Sequence, residues 1–288
     1  MATTKFARSM DTARRRTAVL ATASIALAAL LLSGCGNIDA GSGAADDFEE
    51  FMNAQEHVID ATGRGTNDFP WRGSPSGGVT VRDDISAGDL EEVVTMVGEY
   101  YVDHDRGNLD WKRMDVTIGG FRLDVEKSRS TNDDLRALFE VIRDNPFYAG
   151  GDIGLTNIQL EVVGTPSVGA LAAALDTSYR ELAPHFVEYE DIEVSPALGD
   201  VISVYFADAQ GNDQFTLQQF GADNRPDAEI AAFQALWAGV PLEYARVSEY
   251  DFYVQTADEA QVSAAKAVVG ALLIGAEEGD IRIMGPQG

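Results

Sequence analysis

Residue types that do chemistry are few in this 288-residue chain, and they are scattered. The single cysteine, Cys35, follows Leu32-Ser33-Gly34 and is the only thiol nucleophile on offer. His57, His104 and His185 lie far apart, none with a second histidine at ligand spacing. In Asp103-His104-Asp105, carboxylates and an imidazole together could hold a divalent metal. The same three residues also read as the polar end of a helix that carries Tyr100 and Tyr101 and stops at Arg106-Gly107-Asn108. The stretch Asp208 to Asp213 has some of the acids of a calcium loop, without their alternation or a distal bidentate glutamate, and is expected to be a hairpin turn. Gly164-Thr165-Pro166-Ser167-Val168-Gly169 has the outer glycines of a phosphate loop, with Ala170 where the lysine belongs and a proline inside. No serine sits in a G-x-S-x-G elbow, and with 47 acids, close carboxylate pairs arise by composition alone. Trp71, Trp111 and Trp237, with Tyr100, Tyr101, Tyr250 and Tyr253, could line a glycan or peptide groove. Their helical and strand spacings favour core packing, Trp71 in its Gly/Pro loop being the exception. No catalytic residue, cofactor site or metal site is assigned, and the chain is read as non-enzymatic.

The surroundings of Cys35 are more informative. Lys5, Arg8, Arg14, Arg15 and Arg16 face a single acid, Asp11, and no charged residue follows from Thr17 through Ile38. This is a basic n-region followed by an apolar h-region. Ala18 to Leu32 would span about 22 Å as a helix, short of a bilayer's hydrocarbon core, so a cleaved signal is expected rather than a spanning helix. Leu32-Ser33-Gly34-Cys35 resembles the lipobox of bacterial lipoproteins at all four positions: an aliphatic residue, two small residues and a cysteine. The resemblance implies diacylglycerol on the Cys35 thiol, cleavage between Gly34 and Cys35, and stable anchoring by the acyl chains. Acylation would also remove that thiol from any catalytic role.

Loss of residues 1–34 would leave 16 of the 21 basic and 46 of the 47 acidic side chains, a formal charge of −30. Such a surface repels nucleic acid and anionic headgroups alike. No nucleic-acid partner is therefore expected, and the lipid must hold the protein without a basic patch. The folded part would have no cysteine left for a disulfide, so packing alone must stabilise it. Arginine outnumbers lysine thirteen to three after residue 34, which together with abundant Ala, Gly and Asp reads as a GC-rich genome of actinobacterial kind.

The elements that must position any site follow from periodicity. Residues 35–47 read as a flexible Gly/Ser tether, Phe48 to Ile59 as a short helix, and Asp68 to Gly78 as a Gly/Pro loop. From Val79 onward strands and helices alternate. Ser86 caps a helix bearing Leu90, Val93, Val94, Val97 and Tyr101, and Val116–Ile118 and Phe121–Val125 form a hairpin about Gly119-Gly120. Thr131 with Asp134 is expected to open the next helix, and Ile153 to Val162 supply further strand. Thr165-Pro166 then starts a helix through Leu182. Strands are expected at Ile192–Val194, Ile202–Phe206 and Phe215–Leu217, followed by a helix over Asp227–Trp237, a strand at Tyr250–Val254, a capping box at Thr256 and Glu259, a helix through Leu272 and a last strand at Ile281–Ile283.

The predicted class is α+β, with antiparallel or mixed sheets and helices on one face. Residues 79–163 read β-α-β-β-α-β, the order of a ferredoxin-like unit, and the rhythm continues. The expected layout is signal peptide 1–34, tether 35–47, and two tandem α+β units at 48–164 and 165–288. The leading functional expectation is a membrane-anchored extracytoplasmic lipoprotein that binds or scaffolds an envelope protein or cell-wall component. A solute-binding lipoprotein of a transporter comes second and an envelope hydrolase third, the latter needing a pocket that gathers distant acids around Asp103 or His104.

Overall fold

A two-residue period governs the strands: Val116, Ile118, Phe121, Leu123 and Val125 are buried, and Asp115, Thr117, Arg122 and Asp124 point the other way. The computed structural model describes residues 40–69, 72–105, 107–182, 201–221, 224–273 and 281–286. Helix α1 (Ala40–Asn53) precedes the hairpin β1 (Val58–Phe69) and β2 (Arg72–Val81). Helix α2 (Ala87–His104) leads to β3 (Met114–Ile118) and β4 (Phe121–Val125), and α3 (Arg129–Arg143) to β5 (Tyr148–Ile153) and β6 (Asn157–Val162). Helix α4 (Val168–Leu182) precedes β7 (Val201–Ala207) and β8 (Asp213–Phe220), and α5 (Asp227–Gly239) precedes β9 (Leu242–Val247) and β10 (Phe252–Thr256). Helix α6 (Val262–Leu272) and β11 (Ile281–Met284) complete the described residues.

The eleven strands form one sheet in chain order, β1 through β11. Each hairpin pairs antiparallel, and each helix carries the chain to a strand that pairs parallel with the one it left. That division is geometric, because a tight turn can join only antiparallel neighbours and a parallel neighbour needs a crossover. The α+β class and mixed sheet are as predicted. The tandem ferredoxin-like units are not found. A ferredoxin-like unit splits the two strands of its crossover, whereas here β2 bonds directly to β3 and β4 to β5. The order β-α-β-β-α-β is equally a β-β-α repeat read out of phase. The sheet also runs unbroken past residue 164, with Ile158 opposite Ile202 and Leu160 opposite Val204.

All the described helices lie on one face. Leu90, Val93, Val94 and Val97 of α2, Leu135, Leu138, Phe139 and Ile142 of α3, and Leu171 and Leu175 of α4 join the inward strand residues in one apolar core from Phe48 to Ile283. Each such side chain contributes about 1.5–3 kcal/mol. Ser86 caps α2 as expected, accepting from the Asp89 N–H at 3.2 Å. Helix α3 starts earlier than expected: Ser128, not Thr131, is its cap, accepting from the Thr131 N–H at 3.4 Å. Among the described residues no helix is long and apolar enough to cross a membrane.

The flexible tether expected over 35–47 needs correction from residue 40 onward. Ala40–Asn53 is helical, and its small residues pack face to face with the glycines of the β1–β2 hairpin. A Cβ on Gly65 would land on the Gly41 carbonyl, and one on Gly63 on the Ala45 carbonyl. The Gly/Pro stretch 68–78, expected as a loop, mostly belongs to that hairpin for the same reason. Phe48 and Met52 then fill the space beside Tyr100 and Trp111, with Phe48–Tyr100 ring centroids 5.2 Å apart.

Candidate functional site

The residues singled out by sequence do not converge. Cys35, His185 and Trp71 lie outside the described residues. Asp105 accepts from the Trp111 N–H at 2.9 Å and is ion-paired to Lys127, while His104 stacks on Tyr100 at 3.9 Å with its Nδ1 2.9 Å from the Tyr100 carbonyl. Asp103 instead lines the groove between α2 and α3. His57 Nε2 lies 3.8 Å from Asp89. Asp208 is a turn residue, its carboxylate accepting from the N–H groups of Gln210 and Asn212 at 2.8 and 2.9 Å. Those hydrogen bonds hold its pKa below the usual carboxylate value. Ser167 caps α4 by accepting from the Ala170 N–H at 3.1 Å, so the helix begins at Val168, after the Thr165-Pro166 start expected from sequence. Trp111 is core, and Trp237 is wedged between Phe215 and Phe233 at 4.6 and 5.8 Å.

The sheet face turned away from the helices is where chemistry collects. Because side chains alternate, register brings polar groups from successive strands into rows. One row runs Thr80, Thr117, Arg122, Asp152, Gln159, Ser203 from β2 to β7, and continues to Gln218 in β8. A second runs Glu161, Tyr205, Thr216, Arg246, Tyr253, Arg282 from β6 to β11. Half of the joints in this sheet are parallel, and parallel sheets are ordinarily covered on both faces. None of the described helices covers this one.

Its arginines are held in place by aspartates. Arg113 donates through Nε and Nη2 to Asp124 Oδ1 at 3.0 and 2.6 Å, and Arg122 is ion-paired to Asp152. Arg246 donates through Nε and Nη2 to Asp251 Oδ2 at 2.9 and 2.7 Å, while Arg282 donates to the other oxygen at 2.7 Å. Arg113 and Arg122 line two adjoining cavities of about 340 and 420 Å³. A third, of about 320 Å³, lies over Tyr244, Arg246, Tyr253, Gln255 and Arg282. Burial raises the Asp115 carboxyl above the usual range despite the opposing pull of Arg113 and Arg122. Burial, reinforced by Glu161 and Asp152, pushes the Tyr205 hydroxyl up to about 12, so it remains a hydrogen-bond donor at neutral pH. Among the described residues three buried side-chain atoms lack a protein partner: Trp111 Nε1 in the core, and Arg122 Nε and Asn157 Oδ1, whose residues both line the 420 Å³ cavity.

On the helix side, a groove of about 350 Å³ separates α2 and α3. Arg136 bridges across it to Glu91 at 3.4 Å and along α3 to Glu140 at 3.1 Å, and Asn132 clamps the backbone of Glu126 ahead of α3 at 2.7 and 2.8 Å.

Tyr253 was in the sequence set of groove candidates, whereas Tyr244, Arg246, Asp251, Gln255 and Arg282 were missed. Their signal was the polar residue between apolar neighbours, such as Tyr253 between Phe252 and Val254 and Arg282 between Ile281 and Ile283. Among the described residues no group of three His, Cys, Asp or Glu could hold a metal ion. No family model, curated protein or solved structure matches this chain.

Proposed function

We propose that this protein is a lipid-anchored, extracytoplasmic, non-enzymatic binding or scaffolding protein of the cell envelope, and that its helix-free sheet face is the surface offered to a partner. The observation that carries the reading is that face: rows of polar side chains, exposed or half-buried apart from Ser203 and Thr216, on a sheet half of whose joints are parallel, with no described helix packed over them. The lipobox at Leu32-Ser33-Gly34-Cys35 supports the address, and the acidic surface argues against nucleic acid or anionic lipid as the partner. A transporter's solute-binding protein needs two lobes about a cleft, and the sheet's passage through residue 164 lends that alternative no support. Labelled fatty acid is expected on the wild-type chain and not on Cys35→Ser, which should leave the membrane fraction. A photo-crosslinking residue at Gln159, on the open face, is expected to capture an envelope component in intact cells, and one at Gln234, exposed on α5, is not. A chain that takes no label, or crosslinks equal at the two positions, would overturn the reading.

A further inference from the structure

We infer that the occupant of the open face is an uncharged, polyhydroxylated glycan chain seated over Tyr244, Tyr253 and Arg282; this deepens, and rests on, the reading of that face as the binding surface. At this end of the sheet the Tyr244 and Tyr253 rings meet edge to face at 5.5 Å, and the Arg282 guanidinium lies 5.3 Å from the Tyr253 ring centre. A single carboxylate, Asp251, orients both Arg246 and Arg282. The resulting cavity presents aromatic surface beside fixed guanidinium, amide and hydroxyl groups, and its row is accessible across β9 to β11, about 10 Å, before it reaches the buried Thr216. An elongated ligand with apolar C–H patches and many hydroxyls fits that description.

Charge selects among elongated ligands. Arg113 and Arg122 each pair with an aspartate of their own, while Arg246 and Arg282 share Asp251 and Gln255 holds Glu243 beside them at 3.0 Å, so a polyanion finds no surplus of positive charge on a chain whose net charge is −26. An extended peptide would seek an exposed strand edge or apolar side-chain pockets. At β1 that edge is occupied: Asn53 accepts from the Ala61 N–H at 3.0 Å and donates to its carbonyl at 3.4 Å, and Glu49 accepts from the Gly63 N–H at 3.3 Å. The rows themselves are polar. Arg122 Nε, a donor, and Asn157 Oδ1, an acceptor, both want partners in one cavity, and a hydroxyl is the group that serves both.

The test uses the full lipidated chain in detergent micelles and insoluble chitin, an uncharged polyhydroxylated glycan, as the probe. Co-sedimentation is expected, and it should survive about 0.5 M salt, where exposed charge attraction is screened. Tyr253→Ala should lower the bound fraction about tenfold with folding confirmed by circular dichroism, while Tyr253→Phe, which keeps the ring, should bind within about twofold of wild type. Absence of co-sedimentation, loss of binding with salt, or equal binding by Tyr253→Ala would overturn the inference. A photo-crosslinking residue at Gln255 separates the two levels. A protein adduct in cells without chitin binding removes the glycan and keeps the binding face, and absence of both removes both.

Discussion

Asp115 shows how the open face keeps charge under tension. It lies 3.8 Å from Arg113, with burial the dominant influence and its pKa raised as a result. A carboxyl whose folded pKa exceeds its unfolded value binds more protons when folded, so stability declines as pH rises from the ordinary carboxylate range through the raised folded value. Asp115→Asn removes that slope: its denaturant midpoint should exceed wild type's at neutral pH, and the difference should vanish below about pH 3.5. A midpoint lower than wild type's at neutral pH would mean the pairing with Arg113 outweighs burial. Single residues of this kind were hard to read from sequence. Asp103, His104 and Asp105 are adjacent in the chain, yet side chains on a helix diverge by about 100° per residue: Asp103 lines the α2–α3 groove, while His104 and Asp105 turn to the Tyr100 carbonyl and the Trp111 N–H. Arg246 and Arg282 are far apart in the chain and meet at one carboxylate only because β9, β10 and β11 are neighbours.

At the level of strands and helices, the sequence was legible wherever one face was buried. The β3–β4 hairpin, the stripes of α2 and α3, and the final strand all sit where their apolar periods put them. The failures have physical causes too. Ser128, Ser130 and Thr131 all offer a capping hydroxyl, and pattern alone does not rank them. Glycine reads as tether at Gly41 and as loop at Gly73, whereas both serve a close approach between backbones, as Gly65 does against Gly41, that no other residue allows. Gly65→Ala is therefore expected to cost about 2 kcal/mol or more in a denaturant titration, because the obstacle is backbone and cannot rotate away. Asn53→Ala should cost about 1–2 kcal/mol by orphaning the N–H and carbonyl of Ala61, and should also increase aggregation by uncovering the β1 edge. Unchanged midpoints in both variants would mean that α1 does not hold that edge.

The whole molecule is polar in the directional sense, since α1 and β1 stand at the end nearest Cys35 and the aromatic–arginine cavity stands at the other. Ten inter-strand steps place β11 about 48 Å from β1. Four residues lie between Cys35 and the start of α1 at Ala40, so the five steps from one to the other reach at most about 18 Å. A lipid on Cys35 would hold the β1 end close to the headgroups, while the acidic surface, repelled by anionic lipid, turns the rest outward into the envelope. The glycan-facing end would then be the end that reaches furthest from the membrane. Acylation would consume the only native cysteine, so that an introduced one could be labelled uniquely. In lipidated protein on anionic vesicles carrying a headgroup quencher, a fluorophore at Glu50→Cys on α1 should be quenched and one at Glu249→Cys, between β9 and β10, should not. Twelve Gly/Ser residues inserted between Cys35 and Ala40 should relieve the quenching at position 50, since a flexible linker of that length adds about 20 Å of average reach. Equal quenching at the two positions would mean that the sheet lies along the bilayer, with its far end as close to lipid as its near one.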